Sequence, residues 1–241
     1  MTYLTSHRPW HVSVLIPARD EEDLLPRCLH SVLAAREAVL PIATCDIIVS
    51  VDSSTDATFD IARQILASTG TVIQTSAGVV GVARAAAAQT ALALRQHSPS
   101  RTWLANTDAD CWVPPHWLTD QLHLANTGVQ AIAGIVDVDS FAEHDPHVPD
   151  RFRSTYLLHP DGTHPHVHGA NLGVRADAYI SAGGWADLST AEDHDLWARL
   201  AKTRARRLSP SHVHVLTSGR RIGRAPLGFA GALAAHNEIP V

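Results

Sequence analysis

Apolar positions along this chain switch repeatedly between a period of two and a period near 3.6. Val12-Ser13-Val14-Leu15-Ile16-Pro17 is a short β-branched run that stops at a proline, the pattern of a buried strand. Acidic Asp20-Glu21-Glu22-Asp23 follows, and Leu25, Leu29, Val32 and Leu33 then recur at helical spacing. The acidic run is expected to open that helix, where negative charge suits the amino-terminal dipole. The pattern continues with a strand at 46–51, a helix at 57–68, a strand at 71–74, an alanine-rich helix at 82–96 and a strand at 102–105. Strands alternating with helices across short loops predict a parallel sheet in an α/β domain. Beyond it the pattern predicts a helix at 115–126, a strand at 129–136, a strand near 170–174, helices at 176–182 and 192–203, and a strand at 212–216. Residues 140–168 are rich in Pro and His and lack periodicity, so they read as a long functional or unordered loop. No repeat or linker divides the chain, and one domain is expected.

The 241 residues carry a net charge of −5, which argues against nucleic acid as a partner. Lys202 is the single lysine, so there is no G-x-x-x-x-G-K-[ST] phosphate loop, and a Schiff-base enzyme would have to rely on that residue. Cys28, Cys45 and Cys111 are scattered and odd in number, which fits reduced, buried thiols. No apolar run approaches the length of a membrane span and the first residues lack a secretory layout, so a cytoplasmic protein is expected. The 16 histidines are mostly dispersed and read as surface polarity.

The apolar run Thr102-Trp103-Leu104-Ala105 ends in Asp108-Ala109-Asp110. Two carboxylates one residue apart repel each other, and a divalent cation relieves the repulsion. Mg²⁺ takes one or two protein carboxylates and completes its shell with water and substrate phosphates. A strand ending there delivers the pair to the carboxyl edge of the sheet, where open α/β folds bind ligands. The first strand leads to Pro17-Ala18-Arg19-Asp20 where a dinucleotide fold would have G-x-G-x-x-G, and the second ends at Asp52. Arg19, Asp52, Asp108 and Asp110 therefore share one edge. Helix capping is the plainer reading of Ser54, Thr55 and Asp56.

The chain resembles a family 2 glycosyltransferase with the GT-A fold. The resemblance is carried, in order, by Val14 to Glu22, Val51 to Thr58, Gly81-Val82-Ala83-Arg84-Ala85-Ala86, Asp108-Ala109-Asp110, Gly169 to Arg175, Gly183-Gly184-Trp185 and Glu192-Asp193-His194-Asp195-Leu196. It implies a metal-dependent enzyme that moves a sugar from a nucleotide-diphosphate sugar to an acceptor hydroxyl with inversion. On that resemblance Pro17, Arg19, Glu21, Asp52, Arg84 and Asp108 bind the nucleotide, and Asp110 with Asp108 holds Mg²⁺ or Mn²⁺. Asp193 matches the general base. Gly169, Asn171, Trp185 and Glu192 fall on the acceptor side, although Trp185 equally suits core packing and the acids at 192 and 195 suit a helix dipole. Thr217-Ser218-Gly219-Arg220-Arg221-Ile222-Gly223-Arg224, with its Ser-x-Arg-Arg core, resembles a basic loop that closes over a diphosphate, and His214 or His212 is a candidate second metal ligand. A nucleotide half at about 12–110, an acceptor half at about 111–224 and a tail at 225–241 follow. The acceptor is expected to be small or lipid-linked, and a homodimer is compatible.

The chain departs from the family at Ser53, where many relatives have a second acid, and it lacks a Gln-x-x-Arg-Trp motif. A retaining transferase, a sugar-phosphate nucleotidyltransferase, a nucleotide-sugar-binding module without turnover and a His-rich metal carrier remain as alternatives. His159, His164, His166 and His168 read as an acceptor-side lid in preference to a zinc site, since they lack cysteine partners and sit in a proline-broken loop.

Overall fold

The computed structural model describes residues 9–94, 98–224 and 228–237. Its first half comprises β1 (Trp10–Ala18), α1 (Leu25–Val39), β2 (Ala43–Asp52), α2 (Thr58–Leu66), β3 (Thr71–Thr75), α3 (Val80–Leu94) and β4 (Thr102–Asn106). The expected extension of α3 to Gln96 lies outside the described residues. β1 pairs in parallel with both β2 and β4, and β2 pairs in parallel with β3. Alternation along each strand feeds two cores. Val12, Val14, Ile16, Ile47, Val49 and Val51 pack on one face with α1 and α2, while Leu15, Ile48 and Leu104 pack on the other with Ala87, Ala88 and Ala91 of α3. Burial on both faces explains why these strands read as nearly continuous apolar runs.

The second half comprises α4 (Trp117–Asn126), β5 (Ala131–Ala133), β6 (Ile135–Val138), α5 (Val148–Thr155), β7 (Leu172–Arg175), α6 (Ala176–Ser181), α7 (Glu192–Lys202), β8 (Arg207–Leu208), β9 (His214–Thr217) and α8 (Phe229–Ala234). The main sheet runs β3-β2-β1-β4-β7-β5-β8, and a small parallel sheet pairs β6 with β9. β7 is antiparallel to both β4 and β5; the other pairs of the main sheet are parallel. This is a single α/β domain with a mostly parallel central sheet flanked by helices.

The single strand expected at 129–136 is broken at Gly134. A Cβ there would lie 2.2 Å from Asn171 Nδ2 and 2.5 Å from the Val213 carbonyl oxygen. Asn171 fills the break: Nδ2 donates to the carbonyls of Ile135 and Val213, and Oδ1 accepts from Trp117 Nε1 at 2.9 Å. One strand thus serves two sheets.

Two expectations of irregular chain are corrected. The segment 140–168 contains α5, and the expected tail contains α8. Val138, Val148, Phe152 and Leu233 form a third buried cluster, packed by Phe141, Tyr156 and Phe229. The acidic run also behaves differently, because it lies before α1 and leaves no acid in that helix's first turn. It instead stitches two loops together. Asp20 N donates to Ser54 Oγ, Glu21 N to Thr58 Oγ1 and Glu22 N to Asp56 Oδ2, while Asp20 Oδ1 accepts from Thr55 N. Of the expected caps, Asp56 alone makes a local bond, accepting from Thr58 N at 3.0 Å. Cys28, Cys45 and Cys111 are free and buried. Among the described residues no helix is long and apolar enough to cross a membrane.

Candidate active site

Parallel pairing brings the carboxyl ends of β1, β2 and β4 to one edge, and a cavity of about 460 Å³ opens there. Pro17, Arg19, Glu21, Asp52, Asp108 and Asp110 all line it. Asp52 is buried, and its Oδ1 accepts from Thr75 Oγ1 at 2.9 Å and Ala77 N at 3.0 Å, so the carboxylate is fixed at the strand tip. Asp20 and Ser53, beside these tips, hold left-handed backbone at φ 50° and 55°. That conformation disfavours side chains and clusters at functional turns. Arg19 is exposed and its Nη1 donates to the Gly78 carbonyl at 3.4 Å.

Two arginines organise the carboxylates. Arg84, 2% exposed, donates from Nη2 to Asp108 Oδ1 at 2.6 Å and from Nε to Glu192 Oε1 at 3.0 Å. Burial opposes its charge, but Asp108 and Glu192 hold the guanidinium firmly protonated. Burial pushes the Glu192 carboxyl up while Arg84 opposes the shift. Arg220 grips Glu21 with both terminal nitrogens, at 2.9 and 2.7 Å, and its Nη2 lies 3.0 Å from Asp110 Oδ2. Burial pushes Asp110 up to about 6, with Asp108 and Glu21 adding to the shift and Arg220 opposing it.

Asp110 is thus a buried carboxylate with two acidic neighbours and Arg220 as its ion-pair partner. Hard oxygen donors beside an open cavity suit Mg²⁺ or Mn²⁺, with substrate phosphates and water completing the shell. Among the described residues no set of three or more His, Cys, Asp and Glu side chains converges on one point. A site of one or two protein carboxylates is consistent with that.

Asp193 lines the same cavity from the first turn of α7. Its Oδ2 accepts from Gly169 N at 2.8 Å and its Oδ1 from His194 N at 2.7 Å, so both oxygens are oriented. Ala191 just before it has φ 58°. Gly169 admits no side chain, because a Cβ there would lie 2.4 Å from Arg84 Nη2. Backbone, base candidate and arginine are therefore packed as one unit.

Four expected site residues lie elsewhere. Asn171 is buried in the strand break, with its amide satisfied by protein groups. Trp185 is buried beneath Arg84, whose guanidinium carbon lies 5.3 Å from the ring centroid, and it does not line the cavity. Arg221 is exposed and does not line the cavity, and its backbone N donates to Glu143 Oε2. His214 is exposed on β9, its ring 6.3 Å from that of His116. Strand alternation turns Val213, Val215 and Thr217 inward instead, and Thr217 Oγ1 lies 3.5 Å from Asp110 Oδ1.

The cavity also gathers Thr217 and Arg224 from the two ends of the basic segment, and residues that the sequence did not single out: Phe229, Ala230 and Ala232 of α8. Arg224 donates to the Asp20 carbonyl at 2.7 Å. The histidine segment is packed in its later part, while His159 is exposed. His166 stacks on Tyr156 at 4.0 Å, and His168 Nε2 lies 3.1 Å from the Tyr156 hydroxyl. Burial pushes His168 down to about 4, so its ring is neutral.

The fold is shared with solved structures. A mannosyltransferase from Pyrobaculum calidifontis, described in complex with GDP-Man and Mn²⁺, is 19% identical with a TM-score of 0.63, covering 96% of this chain and 70% of that one. A fragment of Staphylococcus aureus TarS is 17% identical with a TM-score of 0.62 over 87% of this chain. A mycobacterial protein is 18% identical with a TM-score of 0.58 over 96% of this chain and 76% of that one. The alignment spans 60% of the TarS fragment and 36% of a longer TarS chain. No curated protein matches the sequence. The profile described as Glycosyl transferase family 2 matches residues 13–183, from β1 through the Gly169 turn. With the strand-tip acids, Arg84 and the Gly169 turn all inside that stretch, the chain belongs to glycosyltransferase family 2.

Proposed function

We propose that this chain transfers a sugar from a nucleotide-diphosphate donor to an acceptor hydroxyl, with inversion and with Asp193 as general base. The observation that carries this reading is the gathering of two charged sets on one cavity, joined by Arg84: Glu21, Asp108, Asp110 and Arg220 as one, the doubly anchored Asp193 beside Glu192 as the other. A divalent ion held by Asp110 and Asp108 would neutralise charge on the diphosphate. The chain's own residues carry the rest. Asp52 and Arg19 hold the nucleoside at the strand tips, and Arg220 has the planar fork that suits phosphate oxygens. Asp193 takes the acceptor proton as that oxygen bonds to the anomeric carbon, and the bond from that carbon to the diphosphate oxygen breaks with its electron pair. A carboxylate within hydrogen-bond reach of the hydroxyl is suited to this. The mannosyltransferase described with GDP-Man and Mn²⁺ supports a nucleotide sugar and a divalent metal for a domain of this shape.

Calorimetric titration with UDP, GDP and dTDP, each with and without Mn²⁺, tests the donor side. Metal-linked binding of one nucleotide that disappears in Asp110→Ala is the expected result. Asp193→Asn is expected to abolish transfer while that binding persists. Absence of metal-linked binding to all three would overturn the reading.

A further inference from the structure

The cavity does not end at Asp193. Beyond it, β6, the Val167–His168 segment and α8 build a second wall from Val136, Val167, His168, Phe229, Ala230 and Ala232. Gly169 N ties Asp193 to this wall, since His168 is the preceding residue, and the Phe229 ring lies edge-on 5.8 Å from the His168 ring. α8 is fixed behind by Leu233 and by Phe229 against Phe152 at 5.9 Å.

We infer that this wall is the acceptor subsite and that it takes a neutral hydroxyl compound with an apolar ring body, of the phenol class. The inference rests on the transferase reading and adds the substrate class. Charge argues for it first. The arginines among the described lining residues are Arg19, Arg84, Arg220 and Arg224, and each bonds an acid or a carbonyl at the donor edge or beneath it. Glu192 and Asp193 adjoin the second wall, and the one arginine beside them, Arg84, is already committed to Glu192 and Asp108, so an anionic acceptor would meet two carboxylates and no uncommitted arginine among the described lining residues.

Polarity argues next. A sugar acceptor presents hydroxyls all round and needs several polar partners, whereas on this wall His168 is the only polar side chain among the described residues. The Tyr156 hydroxyl accepts from Val136 N at 3.0 Å and lies 3.1 Å from His168 Nε2, which holds the imidazole in the wall. A neutral ring with one N–H suits a single oxygen on an otherwise apolar body. The α8 side of the wall carries the small side chains Ala230 and Ala232, and a ring set against Phe229 and Val136 would gain from burial there.

The test compares para-cresol, para-hydroxybenzoate and methyl glucoside by saturation-transfer NMR, on the full chain with and without Mn²⁺ and the bound nucleotide, and as acceptors with the matching nucleotide sugar. Ala232→Phe fills the slot from an exposed position at the cavity rim and leaves the buried clusters intact. The expected result is that para-cresol binds and is glycosylated. Para-hydroxybenzoate and methyl glucoside are weaker by about tenfold or more, and Ala232→Phe weakens para-cresol at least about tenfold with donor binding unchanged. Preference for the glucoside or the anion, or para-cresol binding indifferent to Ala232→Phe, would overturn the inference. Failure of metal-linked donor binding would instead strike the transferase reading, and the para-cresol signal reports on the subsite independently of it.

Discussion

Replacing Arg84 by Met removes the cation that Asp108 and Glu192 share and keeps an apolar stem of similar length. The loss falls unevenly. The Asp108 side chain is 36% exposed and regains water, whereas the Glu192 side chain is 8% exposed and is left buried beside Asp193. Removing one partner of a buried ion pair costs about 3–5 kcal/mol. For a domain of this size each kcal/mol moves Tm by about 2–4 °C, so a fall of roughly 6–20 °C is expected. The pH dependence has a definite sign. Burial already raises Glu192, and without Arg84 it rises further, so the folded variant binds more protons than the unfolded chain between the ordinary glutamate range and the raised value. Stability then falls as pH rises through that window and recovers below it, which makes the deficit larger at neutral pH than in acid. Urea denaturation followed by tryptophan fluorescence, at about pH 7.5 and about pH 5, reads both quantities. Adding Glu192→Gln to Arg84→Met is expected to recover much of the loss, with a coupling of about 1–3 kcal/mol in the double-mutant cycle. Additive losses, or a deficit that is flat with pH, would refute the claim that Arg84 acts as the counter-ion of Glu192.

Other outcomes follow from the same geometry. Asp110, raised to about 6, penalises the folded state once ionised, so in chelator Asp110→Asn is expected to stabilise the protein by up to about 3 kcal/mol at neutral pH and by less toward pH 4, as chemical denaturation will show. Gly169→Ala pushes a methyl into the Arg84 guanidinium and is expected to cost about 1–3 kcal/mol and to lower turnover together with stability. His168, lowered to about 4, is neutral when folded, so the unfolded chain binds the extra proton between about pH 6.5 and pH 4. Stability therefore drops across that interval by up to about 3 kcal/mol, and His168→Asn is expected to flatten the drop.

What the sequence disclosed divides by how local the cause is. Arg19, Asp52, Asp108 and Asp110 were legible because a parallel sheet sends every strand's carboxyl end to one edge, and the period-two runs identify those strands. The outward turn of His214 is legible on the same grounds, since apolar Val213 and Val215 alternate with His212 and His214 and turn the histidines to solvent. The break at Gly134 was not legible, because its cause is the Asn171 amide arriving from 37 residues further along the chain. Nor was the grip of Arg220 on Glu21, which joins residues 199 positions apart.

The short helices α5 and α8 were missed for a related reason. A helix of six or eight residues has no stability of its own and exists here because each covers the other's apolar face through Phe152, Phe229 and Leu233. The consequence is functional. The chemistry of the donor edge is written into consecutive residues at strand tips, all but Arg220 and Arg224 within the stretch that matches the family. The second wall is assembled from segments 136, 167–168 and 228–232 that meet only after folding, and α8 lies wholly outside that stretch. Variation in α8 can therefore change what enters the cavity without disturbing Asp110, Arg84 or Asp193. For that reason the acceptor wall, not the donor edge, is where this chain's specificity should be sought.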